Sequence, residues 1–298
     1  MPSHIFTRLG MWQQSIDSNH AAHAAAAAYV RKTLGPESFD SETVHTMDYL
    51  EYAYLQTAQD RKAKEVVDEL ISFRQSAVQN LPTAYAVAAI PVRFALERRD
   101  WHAAASLSAP AIGFPLERFP WAEAMLSFAR SLGAAQTGDI PGAQAEIAKL
   151  QSLENKLLEA KDSYWANQVE VQRLGAASIL AHVQGNDKKA IELARAAADL
   201  DATMDKHPAT PASVLPAREL LADLLLELNQ PAAALVEYRA MLSTDPNRFR
   251  SLLGEARAAK QTGDSATAHD AYGKLVALSK PVDPARPELA EARSYLTN

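Results

Sequence analysis

Residues 216–276 (PARELLADLLLELNQPAAALVEYRAMLSTDPNRFRSLLGEARAAKQTGDSATAHDAYGKLV) contain the same pattern twice. Four positions recur 34 residues later: Ala222 as Ala256, Ala234 as Ala268, Tyr238 as Tyr272 and Met241 as Leu275. Two of these positions hold small side chains, one holds an aromatic ring and one an aliphatic chain. A fixed interval of this length is typical of a chain built from stacked structural repeats.

Each copy of the pattern predicts a pair of helices. Leucines at helical spacing over 220–225 give the first helix an apolar stripe, and Asn229, Gln230 and Pro231 interrupt it. Pro231 suits the first turn of a second helix, because the N–H that proline lacks would be unsatisfied there in any case. A helical hairpin of this kind cannot bury its apolar face alone, so neighbouring hairpins must stack.

The period and the residue pattern resemble the tetratricopeptide (TPR) repeat, which has two antiparallel helices per unit. The resemblance implies an all-α fold: an α-solenoid, a right-handed superhelix of about seven antiparallel helix hairpins with a C-terminal capping helix. We divide this single solenoid into a partial first repeat (1–34), irregular repeats (42–205), two regular repeats (216–280) and a capping helix (284–298). The predicted turn residues are Gly10, Ala58, Arg99, Gly138, Gly185, Asn229 and Gly263.

Four further segments resemble bacterial TPR proteins of unassigned function. They are 2–10 (PSHIFTRLG), 119–124 (FPWAEA), 206–211 (KHPATP) and 246–250 (PNRFR). The resemblance spans nearly the whole chain. It implies the fold and also suggests that the chain is a C-terminal fragment of a longer member, because related sequences carry helical sequence ahead of the first segment.

Composition excludes several classes of function. The net charge of −6 argues against a nucleic-acid partner, and the absence of Cys removes thiolate chemistry and Cys-based zinc sites. No apolar run reaches the length of a membrane span. No motif of metalloprotease, hydrolase or phosphate-binding type occurs, so we expect no cofactor and lean against an enzyme. We expect a cytoplasmic protein, with the periplasm left open if the true N-terminus is missing.

The leading hypothesis is a scaffold that binds a protein or peptide. In TPR-like folds the first helix of each hairpin lines the concave surface, and here that lining is largely apolar, as in grooves that accept an amphipathic helix. The predicted groove residues are Tyr52, Leu55, Arg93, Phe128, Leu132, Ile179, His182 and Arg257. The chain's own missing N-terminal helices are an alternative occupant, and an incomplete first repeat also offers a surface for self-association.

The alternative hypothesis is a helical enzyme, or a protein that binds a metal or a small molecule, with a site built from the N-terminal histidines and the loop around His207. Asp17, His20 and His23 lie three residues apart, within one helical turn of each other, and are weak candidates for metal ligands. We expect no metal there, because the three lack a fourth ligand. A solvated polar stripe is the simpler interpretation.

Overall fold

The structure, a computed structural model, describes residues 2–279 and 286–297. Fifteen α-helices make up most of this part of the chain. Their bounds are α1 Pro2–Arg8, α2 Trp12–Thr33, α3 Ser41–Gln56, α4 Asp60–Ser72, α5 Leu81–Glu97, α6 Trp101–Ala105, α7 Pro120–Gln136, α8 Ile140–Glu159, α9 Ser163–Val183, α10 Asp187–Asp201, α11 Ala217–Glu227, α12 Pro231–Thr244, α13 Phe249–Thr262, α14 Ser265–Leu278 and α15 Pro287–Thr297.

The helices pair in chain order into seven hairpins, from α1–α2 to α13–α14, and α15 packs against α14. The first helices of successive hairpins also contact one another. This arrangement confirms the predicted all-α solenoid of about seven hairpins closed by a C-terminal helix. The predicted start of that last helix, at 284, lies outside the described residues.

All seven predicted turn residues have a positive φ, between 55° and 87°. Four of them are glycines, which adopt this left-handed conformation without steric cost. Ala58, Arg99 and Asn229 adopt it with a side chain present, each at φ 55°. The tight turn between the two helices of a hairpin therefore uses the same left-handed backbone conformation throughout, whatever residue occupies it.

The linkers contribute one element that the helical pattern does not predict. Ser38–Phe39 (β1) and Gln75–Ser76 (β2) form a two-residue parallel pair, with Ser38 opposite Gln75. This pair ties the connection before α3 to the connection after α4. It satisfies backbone groups of two loops and leaves the helical architecture unchanged.

The two regular repeats pack as their sequence predicts. Ala222, Ala234, Ala256 and Ala268 are all fully buried, which lets the two helices of each hairpin approach closely. The Tyr238 ring lies directly over Gly254 of the next hairpin, where an added Cβ would come within 2.1 Å of the ring. Small residues and tyrosines are thus complementary parts of one interface.

We predict that Tyr238→Ala and Tyr272→Ala will each lower the free energy of unfolding by roughly 3–5 kcal/mol, because both remove a large buried side chain. The hydroxyl groups donate to Asp223 and Glu291, each at 2.6 Å. The matched Tyr→Phe variants keep the ring and should lose less. Chemical denaturation measures both effects, and Ala variants as stable as the parent would contradict the repeat register.

The first two hairpins of the solenoid meet the segment where the last hairpin begins. The Trp12 indole N–H donates to the Asn247 carbonyl at 2.7 Å, and the Phe249 N–H donates to the Gln56 side chain at 2.8 Å. Gly10 lies so close to Pro246 that a Cβ would be 2.1 Å from the proline carbonyl oxygen. The superhelix therefore closes on itself, and its concave face becomes an interior.

Buried ion pairs occupy this interior. We call them the closure network: Asp48 and Glu51 of α3, Arg93 and Glu97 of α5, Glu219 of α11, and Arg248 before α13. Arg93 donates to Asp48 at 2.7 Å and to Glu51 at 2.9 Å. Arg248 holds Glu219 with two hydrogen bonds, at 2.7 and 3.0 Å, and also pairs with Glu97. The network joins the N-terminal half of the chain to the C-terminal half.

Candidate functional site

The structure buries most of the predicted groove residues inside the closed superhelix. Tyr52, Leu55, Arg93, Phe128, Leu132 and Ile179 are buried, whereas His182 and Arg257 are half-exposed. Arg93 belongs to the closure network, and the Tyr52 hydroxyl accepts a hydrogen bond from Arg248 at 3.1 Å. In this conformation the six buried side chains contact the chain itself.

Part of the concave side stays open as a cleft of about 510 Å³ between the α5–α6 turn, α7, α11 and α13, which we call the concave cleft. Its lining includes Trp101, Leu226 and Arg257. Most of its wall is polar or charged, and Arg257 is paired with Glu291 of α15 at 2.6 Å. The accessible remainder of the concave face is therefore much more polar than the predicted groove.

A second cavity, of about 470 Å³, lies beside the loop between α10 and α11, and we call it the His207 cavity. Residues from α1, α5, α9, α10, α11, α12 and the loop itself line it. Its volume falls within the range of small-molecule pockets, which is about 300–1,000 Å³. A side extension of about 30 Å³ has room for one water molecule. Gln172 lines that extension, and its Oε1 has no hydrogen-bond partner.

Two side chains fix the loop that forms the cavity wall. The Arg8 guanidinium donates to the carbonyl oxygens of His207 and Thr210, at 2.9 and 3.3 Å. The Tyr85 hydroxyl donates to the Ala212 carbonyl at 2.6 Å. The loop is thus held from α1 and α5, two helices that lie far away along the chain. A loop without regular structure acquires a defined shape through these contacts.

Tyr164 and Trp165 form an aromatic wall of the cavity. Trp165 at the start of α9 stacks on Trp121 of α7, with ring centroids 4.1 Å apart. His207 packs against Trp165 and Tyr164, with centroids 5.5 and 5.8 Å apart. Such stacked rings present a rigid, flat and apolar surface with polar edges, as ligand-binding pockets commonly do.

An aspartate and a histidine in the cavity have shifted pKa values. Burial raises the pKa of Asp201, and the nearby charge of Asp245 raises it further. Burial lowers the pKa of His207, and the neighbouring Arg8 cation lowers it further. The Ala209 N–H donates to His207 Nδ1 at 3.2 Å, so the neutral ring carries its proton on Nε2. The imidazole is therefore a neutral donor at physiological pH.

The N-terminal histidines separate into two groups. His4 stacks on Tyr49 with centroids 4.7 Å apart, and its Nε2 lies 3.0 Å from Nε2 of His45, so that one neutral ring donates to the other. Burial lowers the pKa of His4 to about 4, with the charge of His45 as a further cause. His4 lies one helical turn before Arg8 on α1, and α1 thus links the histidine pair to the His207 loop.

We predict that lowering the pH from about 6.5 to about 4 will destabilise the fold through His4. Within this window the unfolded chain takes up a proton at His4 and the folded chain does not, so the free energy of unfolding falls. His4→Gln should flatten the dependence, and His269→Gln, on an exposed position of α14, should not. Urea unfolding at several pH values measures this, and identical slopes for the two variants would contradict the prediction.

The weak metal candidates do not converge. The Asp17 carboxylate accepts from Gln13 on its own exposed surface, and His20 is exposed. His23 lies 3.2 Å from both Thr46 and Glu69. Burial opposes the charged form of His23, but the hydrogen bond and charge of Glu69 raise its pKa overall. Across residues 2–279 and 286–297, no three His, Asp or Glu side chains form a group that could hold a metal ion.

The four segments that carry the sequence resemblance meet in the fold. Segments 2–10 and 246–250 touch where Gly10 packs against Pro246, and Arg8 reaches the 206–211 loop. Segment 119–124 supplies Trp121, which stacks under Trp165. Sequence reasoning identified the His207 loop but missed Arg8, Tyr85, Tyr164, Trp165 and Asp201. An aromatic pair at the start of a helix was the available signal for two of these.

Among solved structures, the chain is similar to the crystal structure of a tetratricopeptide repeat protein from Parabacteroides merdae. The two are 12% identical, the match covers 100% of each chain, and the TM-score is 0.46. No protein-family model matches the chain. No curated protein matches it either. The order and packing of its own helices make this chain an α-solenoid of TPR-like hairpins. None of its described helices is long and apolar enough to span a bilayer.

Proposed function

We propose that this helical-repeat chain is a binding protein whose ligand is a small organic molecule held in the His207 cavity. The observation that carries the proposal is the cavity itself, about 470 Å³ in volume and walled by aromatic rings with charged groups around them. Pockets of this size and composition are the usual sites of small ligands. Closure of the superhelix supports the same conclusion, because it fills most of the concave surface with the chain's own side chains.

Binding is favoured over catalysis by the chemistry of the polar groups. The His207 ring nitrogen Nδ1 is engaged by the backbone of its own loop, and the Tyr164 hydroxyl donates to the Asp205 carbonyl at 3.2 Å. Both groups therefore stabilise the loop. Neither the histidine nor the phenol is therefore free to act as the general base that proton abstraction from a substrate would need.

We predict that the cavity binds indole, a neutral aromatic probe, and that Ala202→Trp abolishes this binding. Ala202 is an exposed residue that lines the cavity at the C-terminal end of α10, so a bulky ring there fills the space. Ala240→Trp, at a lining position on α12, should have the same effect. Saturation-transfer NMR of the ligand measures binding.

Ala160→Trp is the matched control, because Ala160 is likewise an exposed helix C-cap, on α8, and lies away from the cavity. It should bind indole as the parent does. Absence of binding to the parent, or unchanged binding to both cavity variants, would contradict the proposed function.

A protein partner is the second candidate function, and two surfaces support it. The concave cleft is the accessible part of the predicted groove, and a peptide there would contact Trp101 and Arg257. Ile5 of α1 and Leu9, the residue that follows α1, are 63% and 53% exposed and lie four residues apart, on one side of this helix end, which we call the α1 face. Because a repeat normally packs its apolar face against a neighbour, we propose a second copy of this chain as the occupant of the α1 face.

We predict from the α1 face that the chain self-associates at micromolar concentrations. Ile5→Glu combined with Leu9→Glu should weaken the dimer, because it places charge in an apolar contact. Val236→Glu is the control, since Val236 is 64% exposed on α12. Sedimentation velocity measures the outcome. A monomeric parent would contradict self-association and leave the concave cleft as the remaining protein-binding surface.

A further inference from the structure

Six charged side chains line the His207 cavity, and three of them are paired within the chain. The basic residues are Arg8, Lys206 and Arg218, and the acidic residues are Asp201, Asp205 and Asp245. Lys206 pairs with Asp245 at 2.5 Å and also donates to the Thr244 carbonyl. Arg218 pairs with Glu237 at 2.6 Å. These two cations are already engaged and are poor candidates for ligand contacts.

Arg8 is the exception among the basic residues. Its guanidinium donates to two backbone carbonyl oxygens, and its Nη1 has no hydrogen-bond partner. Within the described part of the chain, no carboxylate lies within ion-pair distance of Arg8. A guanidinium bonded only to neutral oxygens keeps its full charge, and it favours a carboxylate nearby.

Asp201 is the half-buried acidic residue of the cavity that has no ion pair, because Asp245 pairs with Lys206 and Asp205 is exposed. Its carboxylate accepts a backbone hydrogen bond from Ala217 and forms no ion pair with any described residue. Burial of the carboxylate and the repulsion by Asp245 raise the pKa of Asp201, and the charges of Lys206 and Arg218, which are paired with other carboxylates, offset this only in part. A cationic group entering the cavity would relieve both costs.

Arg8, Asp201, Tyr164 and Trp165 all line the same cavity. Burial is the largest cause of the raised pKa of Tyr164, and the charges of Asp201 and Arg8 act on that pKa in opposite directions. The aromatic wall of Tyr164 and Trp165 thus shares its cavity with one unpaired anion and one unpaired cation. Apolar surface, a carboxylate and a guanidinium together match a ligand that has an apolar ring, a cationic group and an anionic group.

We propose that the His207 cavity recognises a zwitterion with an aromatic body, meaning an aromatic α-amino acid, either free or at the end of a short peptide. This inference rests on the proposed small-molecule function. The ligand carboxylate pairs with Arg8, its ammonium group pairs with Asp201, and its ring packs against Trp165. Each charged contact is fully satisfied only when both ends of the ligand are present.

The test compares four probes that share one ring: L-tryptophan, which is a zwitterion, tryptamine, which has only the cation, indole-3-propionate, which has only the anion, and neutral indole. Isothermal titration calorimetry on the full chain should show L-tryptophan binding at least tenfold more tightly than any of the others. The dipeptide Trp-Gly forms a further arm. Tighter binding of the dipeptide assigns the ligand to a peptide end, and tighter binding of L-tryptophan assigns it to the free amino acid.

Two variants separate the charged contacts. Asp201→Asn should weaken L-tryptophan binding about tenfold or more, and should weaken the binding of neutral indole much less. Arg8→Lys keeps the charge and should weaken L-tryptophan less than Arg8→Gln does. Indole binding reports whether the cavity is still formed in each variant. Lys156→Gln, on the exposed surface of α8, is the control and should bind every probe as the parent does.

Indole binding as tight as that of L-tryptophan would overturn the zwitterion proposal while leaving the small-molecule function intact. The same holds if Asp201→Asn and Arg8→Gln bind L-tryptophan like the parent. If no probe binds the parent, the proposed function and this inference are both wrong.

Discussion

The buried Arg248 guanidinium is the interaction on which the rest of the structure depends. It lies at the start of α13 and holds Glu219 of α11, Glu97 of α5 and the Tyr52 hydroxyl of α3. A fully buried guanidinium is costly unless its donors are satisfied, so the four elements must stay together. Removing one partner of such a buried pair typically costs about 3–5 kcal/mol. The charge therefore specifies the closed arrangement more than it adds stability.

Closure decides what the molecule can offer to a ligand. An open solenoid presents its inner helices to a partner, whereas this chain packs them against one another. Burial raises the pKa of Glu51 well above its usual range, which favours the neutral acid. A neutral Glu51 reduces the net negative charge of the network, which has four carboxyl groups and two guanidiniums. What stays accessible is set by the gaps that closure leaves: the concave cleft on one side and the His207 cavity on the other.

The sequence predicts the parts of this structure that depend on neighbouring residues. Helix spacing, the buried alanines and the positive φ of residues as different as Ala58, Arg99 and Gly138 all follow from local pattern. Closure does not, because it depends on contacts such as that of Trp12 with Asn247, 235 residues apart. Arg93 shows the consequence. Its position on an inner helix face predicts that it binds a carboxylate, but the sequence does not tell whether that carboxylate belongs to a partner or, as the structure shows, to Asp48 of the same chain. Asp201 was missed for the converse reason, since its lack of a partner is a property of the folded cavity.

The close approach of Gly10 to Pro246 has a further meaning for how such a chain can change. Repeat proteins commonly gain or lose whole units, because each unit contacts only its neighbours. Here the first turn fits against the turn between the sixth and seventh hairpins with no room for a single extra carbon. Insertion or deletion of one hairpin would move these two surfaces out of register, so the number of units is fixed by geometry. This solenoid therefore cannot gain a hairpin by duplication, the usual way in which solenoids evolve, and keep the contact between Gly10 and Pro246.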